Sequence, residues 1–457
     1  MRVALVYPLL KGGAHSCNPP LALLYLATNL ELDGHEVAVF DRDRYPRDPS
    51  RFIAEIADYS PDLIGMPMFT IVSIFKAVRQ FCGALREKLP RTPIIMGGPH
   101  ISAMPEETLE WYPEADFVLQ GEADITLGMF VKELEGNAAE PKAPGLFYRK
   151  NGGIVSIPRI DPPKDLDALP IPDRKFVKKN FEDGIYWRLD RSGPTDLILT
   201  GRGCPFNCNF CFKTEKGYRP RSAENVLQEL EYLASLGHSN IDIEDDLFTA
   251  NKKRCIKICR GIREAGFKFS LKVRSRVDTI DEEMLAEMRK AGVETVVYGF
   301  ESGSDRILKA MNKKTSLQRN RDVVRMTKKA GLKCHADILL GFPGEDEESI
   351  RETEEFLVKS RPTSMLMAVM MPWPKTQVYT AGKVDGTLVG DWTIDGPPPY
   401  IKLPWMKDYE SLWQRSKLVN RRFYSDPRVI FNLIRHSPVN MRVIKAGSRF
   451  LYHKIRA

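Results

Sequence analysis

The sequence predicts an α/β protein in which an N-terminal doubly wound, Rossmann-like sheet precedes a partial (β/α)6 barrel and a helical C-terminal region. Its 457 residues exceed one hydrophobic core, which rarely grows beyond about 250–300 residues. Short apolar runs alternate with helix-like segments in two separate stretches, as in parallel sheets. A proline-rich stretch lies between them, as is typical of a linker. We therefore expect domains at residues 1–138, 194–385 and 386–457, with the linker at 139–193.

The first domain is predicted from five apolar runs separated by helical segments. The strand candidates are Val3–Tyr7, Glu36–Phe40, Leu63–Pro67, Pro93–Met96 and Phe117–Leu119, and the helix candidates are Ala22–Leu32, Ser50–Asp58, Ile74–Lys88 and Glu106–Trp111. Doubly wound sheets bind ligands at the carboxyl ends of their strands, where the strand order reverses. The loops expected there, at 11–13, 18–20, 66–68, 97–100 and 121–122, are rich in small or rigid residues. Glycines let a backbone approach a large ligand closely, although they serve equally well as ordinary turns.

The barrel is predicted from six further strand candidates with helices between them. The strands are Asp196–Thr200, Asn240–Glu244, Lys268–Arg274, Thr295–Phe300, Lys333–Leu340 and Met365–Met371, and the helices are Ala223–Leu236, Lys252–Ala265, Glu282–Ala291, Asp305–Ala310, Leu317–Ala330 and Glu347–Ser360. Six such units fit a barrel that is open on one side, with its active site at the carboxyl ends of the strands. Within the linker, Asn151-Gly152-Gly153 predicts a short hairpin.

Three cysteines follow the first barrel strand at spacings of four and three: Cys204, Cys208 and Cys211. Three thiolates on one short loop can each bind a different iron of a four-iron cluster, which leaves the fourth iron open for chemistry. A structural zinc site would need a fourth Cys or His at ligand spacing, and none stands nearby. The alternative is three cysteines placed there by chance, which the small number of cysteines in the chain disfavours.

Consecutive carboxylates, Glu244, Asp245 and Asp246, end the second barrel strand. Adjacent acids repel one another, so a cation must offset them, and the ammonium of an amino-acid ligand at the open iron would do so. The alternative is a loop of solvated acids that caps the next helix.

Basic and acidic residues also end the third and fourth barrel strands. Arg274 or Arg276 could bind a ligand carboxylate through two parallel hydrogen bonds, or could simply be surface residues. Glu301 is a candidate to accept hydrogen bonds from a ribose or an amino group, and Ser302 lies beside it. The alternative role of Glu301 is to cap the following helix, for which Ser304 is better suited. Gly341–Glu345 is expected to shape the pocket wall.

In this order, the cysteine loop, Asp-Asp-Leu-Phe (245–248), Gly-Phe-Glu-Ser-Gly (299–303) and Gly-Phe-Pro-Gly-Glu (341–345) resemble the cobalamin-binding radical S-adenosylmethionine enzymes, a family of class B methyltransferase type. The N-terminal segments Pro-Pro-Leu-Ala-Leu-Leu-Tyr-Leu-Ala (19–27), Gly-Gly-Pro-His (97–100) and Gly-Glu-Ala-Asp (121–124) are similar to the cobalamin domain of that family. The resemblance covers residues 1 to about 385.

The resemblance implies three cofactors. Cys204, Cys208 and Cys211 would hold a [4Fe–4S] cluster, whose open iron binds S-adenosylmethionine. One electron would then release a 5′-deoxyadenosyl radical that removes hydrogen from the substrate, and methylcobalamin would supply a methyl group. The implied S-adenosylmethionine contacts are Glu244, Asp245, Asp246, Arg274, Arg276, Glu301 and Ser302. The implied cobalamin contacts are Pro19, Pro20, Leu21, Met66, Pro67, Gly97, Gly98, His100, Gly121 and Glu122.

The lower face of the cobalt is expected to lack a histidine ligand. Asp33-Gly34-His35 begins like the Asp-x-His-x-x-Gly loop that supplies such a ligand in other cobalamin proteins, but Ala38 stands where the glycine belongs. His35 also precedes the second strand instead of following the first. We interpret it as a turn residue, and we expect Met66–Ser73 to lie opposite the cobalt.

The net charge of +8 comes from the C-terminal region, where residues 401–457 hold thirteen Lys/Arg against three Asp/Glu. Aromatic residues lie among them, including Trp405, Trp413, Phe431, Phe450 and Tyr452. The pattern fits a helical cap with a solvated basic face, an anionic membrane surface with a lipid-like substrate, or, less well, nucleic acid. With no signal peptide, no membrane span and only eight cysteines, we expect a cytoplasmic protein that could sit at the membrane periphery. Cys255 and Cys259 are expected on a buried helix face.

The favoured function is methylation of an unactivated carbon, or of phosphorus, in a metabolite, lipid or peptide, with an external electron donor such as flavodoxin or ferredoxin. A cyclase or oxidoreductase of the anaerobic porphyrin cyclase type would use the same cofactors. A methylthiotransferase acting on RNA would carry three more cluster cysteines, whereas only Cys17 and Cys82 precede the motif. A non-catalytic cobalamin or redox sensor would not need an open iron.

Overall fold

The computed structural model describes residues 1–8, 16–68, 74–188 and 191–436. Parts of three predictions lie outside them: the loop at 11–13, residues 69–73 of the segment expected opposite the cobalt, and the tail beyond residue 436 with Phe450 and Tyr452.

The first domain is built from strands and helices that alternate as the sequence predicts. In chain order they are β1 (Arg2–Tyr7), β2 (Ser16–Cys17), α1 (Leu21–Leu32), β3 (Glu36–Asp41), α2 (Pro49–Asp58), β4 (Leu63–Pro67), α3 (Phe75–Lys88), β5 (Ile94–Gly97), α4 (Pro99–Ala103), α5 (Pro105–Trp111), β6 (Phe117–Leu119), α6 (Thr126–Glu135), β7 (Leu146–Lys150) and β8 (Gly153–Ser156). The sheet has the order β3-β1-β4-β5-β6-β7-β8, and its first five strands are parallel. The strand order reverses at β1, which pairs with β3 on one side and with β4 on the other, so a crevice opens there.

The predicted hairpin of the linker belongs to this first sheet. Strands β7 and β8 surround Asn151-Gly152 and pair antiparallel, and β7 pairs antiparallel with β6. The first sheet therefore extends past the predicted boundary at residue 138. The hairpin adds two strands because apolar residues of β7, among them Leu146 and Phe147, are buried against the sheet.

The rest of the linker, the barrel and the C-terminal region follow. Their elements are α7 (Lys178–Glu182), β9 (Trp187–Arg188), β10 (Thr195–Ile198), β11 (Gly201–Cys204), β12 (Gly217–Pro220), α8 (Ala223–Ser235), β13 (Asn240–Ile243), α9 (Lys252–Glu264), β14 (Ser270–Ser275), α10 (Glu282–Lys290), β15 (Val293–Glu301), α11 (Asp305–Ala310), α12 (Leu317–Lys329), β16 (Lys333–Leu340), α13 (Glu347–Ser360), β17 (Ser364–Val369), α14 (Gln377–Asp385), β18 (Leu388–Val389), β19 (Tyr400–Ile401), α15 (Tyr409–Tyr424) and α16 (Pro427–His436). Short 3₁₀ turns lie at Arg42–Arg44, Arg174–Val177 and Phe248–Ala250.

The six predicted barrel strands form one parallel sheet in the order β10-β13-β14-β15-β16-β17. It is a partial barrel because β10 and β17 stand at its two edges. Alternate residues of β16 and β17 pack into the hydrophobic core against the surrounding helices, and the residues between them face the lumen. Leu366 of β17 is among these lumen-facing residues and is 52% exposed.

The C-terminal helices cover the last strand of the barrel. Tyr424 of α15 donates through its hydroxyl to the carbonyl oxygen of Met365 at 2.7 Å and accepts from its amide. Trp392, in the segment before α15, packs on the first domain instead. The sequence predicts a mostly helical region here, and α15 and α16 confirm it for residues up to 436. None of the described helices combines the length and the apolar character that crossing a membrane requires.

Candidate cofactor and substrate site

The three motif cysteines lie on a loop that starts at the end of β11, here called the cluster loop (residues 204–211). Cys204 ends β11, and the amide of Cys211 donates to the carbonyl oxygen of Cys208 at 3.2 Å, which closes a tight turn. Lys213 donates through Nζ to the carbonyl oxygen of Cys204 at 2.7 Å and also to that of Phe206. A lysine that was not singled out from the sequence thus ties the loop together.

A hairpin that the sequence analysis did not predict supports the first cysteine. Strands β11 and β12 pair antiparallel, with Cys204 opposite Gly217. Gly203 has φ 79°, and a Cβ there would lie 2.3 Å from the carbonyl oxygen of Gly217. Only glycine fits this close approach, so Gly203 sets the path of the chain into the cluster loop.

Two of the three consecutive acids hold the start of this hairpin. Asp245 is fully buried and accepts hydrogen bonds from the amide of Thr200 at 2.6 Å and from that of Gly201 at 3.2 Å. Asp246 accepts from the amide of Gly203 at 2.9 Å. For the buried Asp245, backbone amides therefore take the place expected for a ligand ammonium, whereas Asp246 remains exposed. Burial raises the pKa of Asp245 to about 6.

Glu244 and Arg274 form an ion pair at the mouth of the barrel. Nη2 of Arg274 lies 2.8 Å from Oε2 of Glu244, and Nη1 lies 3.9 Å from Oδ2 of Asp337 on β16. The two predicted residues lie together and keep exposed surface. They remain available to a ligand, as does the exposed Asp246, whereas the buried Asp245 does not.

Arg276, by contrast, is committed to the cluster loop. Its Nη1 donates to Sγ of Cys208 at 3.4 Å, and its guanidinium carbon lies 3.8 Å from the ring centre of Phe206. Nε and Nη2 donate to the two carboxylate oxygens of Asp278, each at 2.8 Å. Because Asp278 already occupies this pair of donors, Arg276 cannot also use it to bind the ligand carboxylate that was expected there.

Glu301 also has a protein partner. Nζ of the buried Lys313 donates to its Oε1 at 2.7 Å. Burial opposes the charge of Lys313, but Glu301 and Cys208 together outweigh it and raise the pKa of the lysine. Gly299 leaves space for this pair, because a Cβ there would lie 2.4 Å from Oε1 of Glu301. Ser302 is buried and accepts from the amide of Ser304 at 3.1 Å, so it shapes the turn into α11.

On the side of the first domain, a crevice of about 210 Å³ lies at the carboxyl ends of β1, β4, β5 and β6. Six of the predicted cobalamin contacts line it: Met66, Pro67, Gly97, Gly98, Gly121 and Glu122. Its floor needs small residues, since a Cβ on Gly65 would lie 2.8 Å from Cδ2 of Leu5. Gly98 has φ 109°, and a Cβ there would lie 2.8 Å from the carbonyl oxygen of Met68.

The remaining predicted contacts divide between a second cavity and the core. Pro19, Pro20 and Leu21 line an interdomain cavity of about 490 Å³, together with Pro67, Leu199, Glu244 and Arg274. His100 lies in neither cavity. It is fully buried with its ring centre 4.5 Å from Phe75 and 5.5 Å from Trp392, and burial lowers its pKa to about 4.

His100 therefore packs as a neutral aromatic residue, because α4 begins at Pro99 and turns the next side chain into the core. His35 lies in the turn before β3, with Nδ1 3.5 Å from the N-terminal amine. The interpretation of His35 as a turn residue agrees with this position.

One residue of the barrel joins the two cofactor regions. Nη1 of Arg202, two positions before Cys204, lies 2.7 Å from Oε2 of Glu122 and 2.7 Å from Oδ2 of Asp124. Arg219 of β12 pairs with the same Glu122. Glu122 thus lines the crevice but gives its carboxylate to the barrel. The motif Gly-Glu-Ala-Asp was visible in the sequence, but its arginine partners were not.

The residues fit the cofactors that the sequence implies. Each cysteine of a four-iron cluster binds a different iron, so the thiols need not converge on one point. Indeed, in the described residues no three His, Cys, Asp or Glu side chains converge to hold a single ion. Arg276 and Lys313 place positive charge beside Cys208 to balance thiolates. The apolar, glycine-floored crevice at the reversal point of the sheet suits a large ligand that needs close backbone approach.

Comparisons with known proteins agree with this geometry. Residues 198–357 match the model of the Radical SAM superfamily, and residues 9–131 match the B12 binding domain. An uncharacterised methyltransferase of Pyrococcus horikoshii is 31% identical over 484 residues, covering 99% of both chains. The anaerobic magnesium-protoporphyrin IX monomethyl ester cyclase of Cereibacter sphaeroides is 27% identical over 83% of this chain and 63% of its own. The solved structure of the radical S-adenosylmethionine methyltransferase TsrM from Kitasatospora setae covers 93% of this chain and 89% of its own, with a TM-score of 0.74 at 20% identity.

The fold and the site define an enzyme whose barrel would hold an iron–sulfur cluster and whose first domain would hold a corrinoid. The chain belongs to the cobalamin-binding radical S-adenosylmethionine enzymes. Its cofactors are a [4Fe–4S] cluster, S-adenosylmethionine and cobalamin, as the sequence predicted.

Proposed function

We propose that this enzyme methylates an unactivated carbon, or phosphorus, of a metabolite, lipid or peptide. When bound, the cluster and S-adenosylmethionine supply the radical that removes a hydrogen atom, and cobalamin supplies the methyl group. The observation that carries the proposal is the interdomain cavity, since Pro19, Pro20 and Pro67 of the first domain face Glu244 and Arg274 of the barrel across it. A substrate held there touches both cofactor regions at once.

The walls of this cavity favour a reaction protected from water. Leucines and prolines from both domains make up most of its lining: Pro19, Pro20, Leu21, Leu23, Pro67, Leu197 and Leu199. An apolar site excludes the water that would otherwise quench a reactive species. Asn18 and Arg188 also line the cavity, and the pair Glu244–Arg274 can orient a ligand there by hydrogen bonds.

The lumen next to the cavity supports a substrate with an apolar part. Leu366 is 52% exposed although it faces the inside of a barrel, and Ala368 of the same strand is exposed beside it. An apolar surface left open at a site usually marks where a ligand is buried. Arg274 and Asp337 supply charge on the neighbouring strands. A lipid-like or alkyl-bearing compound with one polar group fits this arrangement best.

The test is anaerobic reconstitution with cobalamin, followed by incubation with host extract and S-adenosylmethionine carrying a deuterated methyl group. We expect mass spectrometry to find a compound that has gained one deuterated methyl group, in amounts that depend on the wild-type enzyme. The matched control is Cys211→Ala, which keeps the cobalamin domain but removes a cluster ligand. A product that has lost hydrogen without gaining a methyl group would overturn the proposal.

That result would favour the second candidate, a cyclase or oxidoreductase with the same cofactors. The specific observation in its favour is the similarity to the Cereibacter sphaeroides cyclase over most of this chain. The two functions share every step up to the substrate radical, so only the mass of the product separates them.

We also propose that the C-terminal helices make peripheral contact with an anionic membrane. Trp413 and Leu418 on α15 are 41% and 54% exposed, and Phe431 on α16 is 64% exposed. Lys417 and Arg421 are exposed on the same helix as Trp413, one and two turns further along. Exposed apolar side chains beside basic ones are typical of interfacial helices. Sedimentation with anionic and with neutral lipid vesicles tests this proposal. Failure to bind anionic vesicles, or equal binding to both kinds, would exclude it.

A further inference from the structure

Four exposed lysines border the cluster loop, and we call them the lysine rim: Lys216, Lys309, Lys314 and Lys375. In the described part of the chain none of them has an ion pair or a side-chain hydrogen bond. An unneutralised group of like charges raises the local electrostatic potential and costs stability, so a functional reason for it is expected.

Two of the lysines flank a segment that holds the outer side of the loop. Nδ2 of Asn209 donates to the carbonyl oxygen of Ala310 at 2.8 Å, and Lys309 precedes Ala310. Nδ2 of Asn312 donates to the carbonyl oxygen of Asn207 at 2.6 Å, and Lys314 follows two positions later. The segment 309–314 thus lies directly against the cluster loop.

The other two lysines lie on segments that contact the loop from elsewhere. Lys375 lies between Trp373 and Val378 in the chain. The ring centres of Trp373 and Phe212, the residue after the loop, are 5.6 Å apart. The amide of Val378 donates to the carbonyl oxygen of Asn209, in the loop, at 3.2 Å. Lys216 precedes Gly217, which pairs with Cys204. All four lysines therefore lie within a few residues of a direct contact to the loop.

Three acids of the same region are already paired with basic side chains. Asp278 is paired with Arg276, Glu301 with Lys313, and Glu215 with Arg159. A fourth acid, Asp305, accepts from the amide of Leu317 at 2.7 Å but is exposed and keeps its charge, so that four lysines stand against one acid. The surface beside the cluster loop is therefore positive, and Pro205 and Asn207 of the loop are themselves exposed there.

We propose that the lysine rim is the docking surface for an acidic one-electron donor protein of the flavodoxin or ferredoxin type. The reduced donor gives one electron to the oxidised cluster, so the donor is oxidised by one electron, the cluster is reduced by one, and no bond forms or breaks. Opposite charges steer the two proteins together and bring the donor to the exposed edge of the loop. The inference rests on the proposed function only in needing a reducible cluster.

The experiment follows cluster reduction by absorbance in the reconstituted full-length enzyme, without any methyl acceptor. One rim variant is Lys309→Glu/Lys314→Glu, and a second is Lys216→Glu/Lys375→Glu. The matched control is Lys88→Glu/Lys268→Glu, which reverses two exposed lysines located just before β5 and β14, at the strand ends away from the loop. Photoreduced flavodoxin is the donor in one series, and titanium(III) citrate, which needs no docking surface, is the reductant in the other.

At low ionic strength, we expect reduction by flavodoxin to slow about tenfold in each rim variant and to stay unchanged in the control. Reduction by titanium(III) citrate should be equal in all four proteins. Rim variants that flavodoxin reduces at the wild-type rate would overturn the proposal. If a rim variant fails to hold its cluster, the test is made on the wild-type enzyme. Its rate of cluster reduction by flavodoxin should fall as salt is added, and a rate that does not change with salt would overturn the proposal.

Discussion

Arg276 and Cys208 are joined by a hydrogen bond in which Nη1 of the arginine donates to the cysteine Sγ at 3.4 Å. The same guanidinium stacks on Phe206, in the middle of the cluster loop, and is clamped by Asp278. One buried cation thus binds the second motif cysteine and the ring between the first and second motif cysteines. This contact ties the end of the third barrel strand to the cluster loop.

We expect Arg276→Gln to lower the reduction potential of the cluster. Reduction adds negative charge, and a positively charged donor to a ligand sulfur stabilises the reduced form. The measurement is a redox titration followed by electron paramagnetic resonance. The control is Arg325→Gln, since Arg325 is an exposed arginine on α12 whose ion pair, among the described residues, is with Asp322. A fully loaded Arg276→Gln protein with the wild-type potential would contradict the expectation.

Replacement of the motif cysteines by alanine, singly or together, should abolish cluster absorbance and S-adenosylmethionine cleavage. Cys259→Ala is the matched control, because Cys259 is buried in α9 beside Cys255 and has no part in the loop. Iron analysis and visible absorbance after anaerobic reconstitution check both variants. Loss of the cluster in Cys259→Ala alone would show that the ligands have been misassigned.

Glu345→Gln should change how stability depends on pH. Glu345 is buried and accepts from the amide of Gly341 at 2.7 Å, and burial raises its pKa to about 8. The folded state therefore holds the proton more tightly than the unfolded state. The stabilising effect of the protonated Glu345 is complete below about pH 4.5 and is lost as the pH rises through 8.

Glutamine keeps the acceptor and removes the charge. We expect the variant to exceed the wild type by about 2–5 kcal/mol in free energy of unfolding at pH 9, and by little at pH 5. Urea denaturation across this pH range measures the difference. Parallel pH profiles for the two proteins would argue against a buried, titrating Glu345.

Gly98→Ala should weaken cobalamin binding and destabilise the first domain by about 1–3 kcal/mol. The new Cβ would lie 2.8 Å from the carbonyl oxygen of Met68, at the edge of the crevice, in a backbone conformation with φ 109°. Gly34→Ala is the control, since Gly34 has φ 90° and its added Cβ would meet none of the described residues within 4 Å. Thermal unfolding and cobalamin titration by absorbance separate strain, which both variants share, from contact with the crevice, which only Gly98→Ala creates.

The alternation of strands and helices, the barrel and the cluster loop could be predicted from the sequence because each depends on local period or spacing. The pairs Arg276–Cys208, Arg202–Glu122 and Lys313–Glu301 could not, because long stretches of chain or a change of element separate the partners. Asp245 looked like a ligand because its backbone partners lie more than forty residues earlier in the chain. His100 looked like a ligand because its motif ends a strand, yet the helix that begins at Pro99 directs it into the core.

The central claim is that three cysteines hold a cluster with one open iron, which binds S-adenosylmethionine beside the cobalamin crevice. Electron paramagnetic resonance of the anaerobically reduced enzyme, recorded with and without added S-adenosylmethionine, tests it most directly. We predict that the cluster signal changes when S-adenosylmethionine is added. A signal that stays the same, or a protein that holds zinc instead of iron, would contradict the account.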